Sequence, residues 1–137
     1  MIIIDSYDMN IYPRKLWVAT GWGDAITRRF VSDDENRSEL ADVGDGYGAA
    51  TYAVQERKTG LYGSLVVFKD VGDIGGSQIV ANIAHESLHA MSNVFRDVCV
   101  KADYDNDEPM AYLVGWCAKC CWKTIQKVVY NNGKGNE

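Results

Sequence analysis

Between Ser77 and Arg96 the apolar residues Ile79, Val80, Ile83, Ala84, Leu88, Met91, Val94 and Phe95 recur at three- and four-residue intervals. That is the period of a helix with one apolar face, and it predicts an amphipathic helix over this stretch. A second helix is expected from Asp107 or Glu108 to about Tyr130. Pro109 falls in its first turn, where a missing amide costs nothing, and the acidic residues there complement the helix dipole. Within it Ala111, Gly115 and Ala118 form a strip of small residues that predicts close approach to the first helix.

Ahead of the helices, Ala50 to Arg57 and Leu61 to Lys69 read as two strands joined by Lys58-Thr59-Gly60, an antiparallel hairpin. Leu65-Val66-Val67-Phe68 is apolar on both faces, which predicts cover on both sides. Ile11 to Ala19 predicts a further strand with Pro13 near its start, and Asp24 to Val31 a short helix. Ser32 to Gly48, rich in Asp, Glu and Gly, predicts an exposed connection. Gly75 and Gly76 read as turn residues before Ser77, a candidate N-cap. No repeat or linker divides the chain, so one domain over residues 1–130 and a frayed tail over 131–137 are expected. The class is α+β, with a small antiparallel sheet of about three strands packed on two long helices.

The first of these helices carries the chain's two histidines, His85 and His89, around Glu86 as H-E-x-x-H. Residues four apart share a helix face, so both imidazoles can converge on one metal while Glu86 reaches a water beside it. The apolar stripe centres nearly opposite these residues, which predicts that His85, Glu86 and His89 all face a cleft or solvent. A catalytic zinc takes three protein ligands. An antiparallel return of the second helix puts its first turn beside the motif, which makes Glu108 the expected third ligand ahead of Asp97, Cys99, Asp103, Asp105 and Asp107.

His85, Glu86, His89 and Glu108 together resemble the gluzincin, or thermolysin-like, metallopeptidases. There the H-E-x-x-H helix is followed about twenty residues later by a metal-binding glutamate on the next helix. The resemblance covers roughly Ala50 to Tyr130. It implies a minimal zincin-like fold, Zn2+ held by His85, His89 and Glu108, Glu86 as general base, and a peptide or protein substrate along the edge strand of the hairpin. The metzincin pattern would need glycine at 92 and histidine at 95, where Ser92 and Phe95 stand, and no cysteine precedes the helix as in peptide deformylases. Gluzincins commonly place an acidic residue where this chain has Tyr112. With no third histidine, Tyr104, Tyr112 and Tyr130 are the candidate donors to a developing oxyanion, Tyr112 standing one turn from Glu108. The segments YPRKLW and DNDEPMAYLVGW also resemble small, uncharacterised proteins of bacteria and their phages.

Composition narrows the partners. Fourteen Lys+Arg against nineteen Asp+Glu give a net charge of −5 with no basic run, so nucleic acid is not an expected partner. Met-Ile-Ile-Ile followed by Asp5 is too short for a signal peptide or a membrane span, and a cytoplasmic protein with no membrane partner is expected. Cys99, Cys117, Cys120 and Cys121 lack a paired C-x-x-C arrangement and are expected to be small, buried, reduced thiols. Asp103 to Asp107 imitates the start of a calcium loop, but Glu108 and Val114 stand where that loop needs glycine and glutamate. The functional expectation is a zinc-dependent metallopeptidase. Its rivals are a metal-stabilised binding module acting through protein contacts and a hydrolase of non-peptide amides.

Overall fold

The computed structural model describes residues 1–44 and 46–134. In chain order it contains β1 (Ile4–Asp8), β2 (Lys15–Ala19), α1 (Asp24–Arg29), β3 (Phe30–Ser32), β4 (Ala49–Glu56), β5 (Tyr62–Phe68), α2 (Gly76–Asp97) and α3 (Glu108–Lys134). The strands form one five-stranded sheet in the order β1-β2-β5-β4-β3.

The α+β class is as expected, but the sheet is larger than three strands and is mixed. The chain passes through α1, β3 and β4 between β2 and β5, and that crossover leaves β2 parallel to β5 while the other three pairs are antiparallel. The stretch Asp24 to Val31, expected as helix throughout, becomes extended at Phe30. Phe30 and Val31 gain more by filling the core as strand β3 than by adding a helical turn. Strand β1 is a half-exposed edge whose mixed residues carry little alternation.

Strand β5 is covered on both faces, as its apolar run requires. Val66 and Phe68 join Leu16 and Val18 of β2 beneath α2 and α3. Leu65 and Val67 face Trp17, Ile26, Phe30 and Leu40 on the opposite side. Leu40 ties the 32–48 connection into the core, Tyr52 Oη donates to the Ala41 carbonyl at 3.2 Å, and Lys69 pairs with Asp42. The acidity of that connection is therefore partly structural.

At Gly63, a Cβ would fall on the backbone carbonyl of Lys15 across the β2–β5 pair. A backbone partner cannot swing away as a side chain can. Gly63→Ala is expected to cost about 3 kcal/mol or more by chemical denaturation, and a loss under 1 kcal/mol would contradict this close approach.

Helices α2 and α3 pack antiparallel, with the buried Ser87 of α2 beside Cys117 and Cys121 of α3. Leu113, Cys117, Cys120, Cys121 and Ile125 build the inner face of α3. Ala111 and Gly115, expected in that interface, are exposed instead, and the space over Gly115 is open. The large apolar residues pull the buried face round to their own side of the helix. Three cysteines are buried free thiols as expected, whereas Cys99 is exposed in the turn after α2 with φ 60°. Ser77 lies inside α2, whose N-cap is Gly75. Helix α3 runs on through the first part of the expected tail to Lys134, and residues 135–137 lie outside the described residues. Among the described residues no helix is long and apolar enough to cross a membrane.

A hydroxyl and ion-pair chain fastens α3 to β1. Tyr7 Oη and Thr124 Oγ1 are 2.7 Å apart, and Thr124 Oγ1 and Lys127 Nζ each donate to Asp5 Oδ2 at 2.8 Å. Burial works against ionised Asp5, but these donors outweigh it and hold its pKa below the usual carboxylate value. Glu56 behaves likewise: burial is outweighed by the Thr59 hydroxyl and the Arg29 guanidinium. A carboxylate with a depressed folded pKa contributes stability above its unfolded pKa, near 4, and loses it as pH falls through the folded value. Thermal stability is thus expected to fall below about pH 4, less steeply in Asp5→Asn. An identical acid limb in that variant would contradict the assignment.

Candidate metal centre

The apolar stripe of α2 is rotated from the one expected. Val80 and Leu88 are 66% and 52% exposed, while Ile79, Ile83, Glu86, Ser87, Ala90, Met91, Val94 and Phe95 are buried. The buried face needs its width on the sheet side as well as on the α3 side, so it takes in Glu86 at its margin. His85 and His89 lie beyond that margin and are exposed, as expected; Glu86 is 5% exposed, against expectation.

The imidazoles converge. His85 Nε2 and His89 Nε2 are 3.1 Å apart, with ring centroids at 4.8 Å. At that separation one neutral ring can donate to the other, or both can face one cation. A tetrahedral zinc with Zn–N bonds of about 2.0–2.1 Å holds two nitrogens roughly 3.3 Å apart, so the pair fits such an ion with little movement.

Glu86 turns beneath them toward β4. Thr51 Oγ1 donates to Glu86 Oε1 at 3.1 Å, and Oε2 lies 3.9 Å from His85 Nε2. A buried carboxylate is costly unless partnered, and a single neutral hydroxyl is a modest partner. A cation seated on the two imidazoles would stand beside the second oxygen, Oε2, which lies on the His85 side. Val43, Tyr47, Ala49, Ala50, Thr51 and Asn93 complete a groove of about 310 Å³ around the motif.

Glu108 and Tyr112 stand elsewhere. They line a shallow hollow with Ala111, Gly115, Trp116 and Lys119 on the outer face of α3, and Tyr112 is 76% exposed. The register set by Ser87 against Cys117 and Cys121 explains this. Glu108 is nine residues before Cys117, roughly 13 Å along the helix axis, so it lies well past the level of His89. Helix α3 also occupies the Ser87 side of α2, whereas the histidines face the other flank. Among the described residues no three His, Cys, Asp or Glu side chains come together in a metal-sized group.

The sequence reading missed Thr51, Tyr47 and Asn93. Asn93 continues the series His85, His89 at the next four-residue step, a signal that was present in the spacing. Thr51 and Tyr47 come from sequence-distant elements that periodicity alone cannot connect. No protein-family model matches the chain, and no match was found among curated proteins or among solved structures.

Proposed function

We propose that this protein is a zinc-dependent hydrolase of peptide bonds, with His85 and His89 holding the metal and Glu86 serving as general base. The observation that carries the reading is the convergence of two exposed imidazole nitrogens at 3.1 Å, with the buried Glu86 carboxylate 3.9 Å from that of His85. In this reading the protein supplies the two imidazoles alone, one ligand fewer than catalytic zinc usually takes and without the Glu108 expected from the sequence, and the remaining positions are left to water and substrate.

Zinc held there supplies Lewis acidity for a carbonyl and lowers the pKa of water. Glu86 takes the proton of the attacking water and delivers it to the departing nitrogen, so that the oxygen of water ends on the carbonyl carbon as the C–N bond breaks. Thr51 keeps one carboxylate oxygen occupied, which orients the other toward the groove. A fold whose two long helices lie on one face of a mixed sheet, with the motif beside a strand, suits a minimal zincin-like arrangement. The same strand could hold an extended peptide by main-chain hydrogen bonds.

Incubating the zinc-loaded protein with a mixture of synthetic peptides tests the proposal. New amino termini should accumulate with zinc and cease when a chelator removes it. A mixture left intact by fully zinc-loaded protein would refute the reading.

A further inference from the structure

Resting on that hydrolase reading, the free edge of β4 points to which part of a peptide the groove accepts. Strand β4 pairs with β5 along its length, but on its other side β3 covers only Val54 to Glu56, and Asp33 N–H donates to the Ala53 carbonyl at 3.2 Å. In an antiparallel ladder both backbone groups of alternate residues point the same way. Ala53 therefore directs its groups outward, as do Thr51 and Ala49, while Gly48 accepts from Lys69 N–H on the β5 side. Among the described residues no backbone group pairs with the outward N–H and C=O of Ala49 and Thr51. This short unpaired edge borders the groove that holds His85, Glu86 and His89.

The edge is closed at one end. A strand added at Thr51 advances about 3.3 Å per residue, so only one residue fits beyond the one opposite Thr51 before it meets the backbone of Asp33. The Thr51–Glu86 hydrogen bond fixes the general base at the same level. Strand polarity and charge both say which end of the peptide lies there. Antiparallel pairing, the more stable choice, sends the amino end toward Ala53. Asp33 sits at that end near Asp34 and Asp97, with Arg96 the nearby cation, while Arg14 already pairs with Asp97 at 3.5 Å. An acidic excess there suits a free α-ammonium group and disfavours a carboxylate.

We propose that the groove takes the amino-terminal end of an extended peptide, with room for no more than about two residues on the amino side of the bond presented to Glu86. Hydrolysis would then release single residues or dipeptides, and internal cleavage would be excluded.

The test uses the full-length Glu86→Gln protein and peptides of one sequence with a free amino terminus, an acetylated one, or three extra amino-terminal residues. Binding is read by isothermal titration and by amide NMR shifts at Ala49 and Thr51. The free peptide should bind at least tenfold more tightly than the acetylated form and move both amides. For the extended peptide, only register positions that keep its amino terminus beside Asp33 should be occupied. Equal affinity for free and acetylated peptides, or unmoved Ala49 and Thr51 amides, would overturn the proposal. The expected preference combined with no hydrolysis by the parent protein would support the groove assignment and remove the hydrolase reading alone.

Discussion

Replacing Glu86 with glutamine is expected to lower kcat by at least a hundredfold while leaving the fold and the bound zinc unchanged. General-base catalysis contributes about 10²- to 10⁴-fold, and an amide cannot take the proton that the carboxylate takes. The fold should survive because glutamine has nearly the same volume, and its carbonyl can accept the Thr51 hydroxyl as Oε1 does at 3.1 Å. Burying a neutral amide in place of a carboxylate also removes a charge that is 5% exposed, so a small gain in stability is consistent with the account. The measurement is single-turnover hydrolysis beside a zinc assay of the same sample. Parent-like turnover in Glu86→Gln would show that another group moves the proton.

The second large effect concerns metal retention. His85→Ala and His89→Ala should each abolish stoichiometric zinc binding, because each removes half of the protein donors that converge in the groove. Both side chains are exposed, so neither substitution opens a cavity and the thermal midpoint of the metal-free protein should hardly move. Glu108→Ala, on the far face of α3, should leave zinc affinity within about twofold of the parent. Elemental analysis after equilibrium dialysis separates these cases. Loss of zinc in Glu108→Ala equal to that in His89→Ala would mean that α3 shifts to complete the site in the metal-bound protein.

The histidine pair was legible because helix geometry alone brings i and i+4 together, and the covered strand β5 was legible because its apolar run has no polar face to offer solvent. Features set by a partner element are not legible in the same way. The apolar spacing includes Val80 and Leu88, yet both are exposed, and the buried face turns far enough to take in Glu86. A short connection does not set the register of the two helices; the packing of Ser87 against Cys117 and Cys121 does, and it leaves Glu108 at least about two and a half turns beyond the level of Ser87. Strand β3 is decided by Phe30 entering a core built from Trp17 and Leu65, contacts invisible in a local window.

X-ray absorption at the zinc edge of the loaded protein reports the atoms bound to the metal, and so decides whether His85 and His89 hold it. The expected spectrum shows a shell of nitrogen and oxygen at about 2.0–2.1 Å with the multiple-scattering signature of two imidazoles. A sulfur shell at about 2.3 Å would place the metal on cysteine, at exposed Cys99 or among the thiols of α3, and contradict the assignment of His85 and His89.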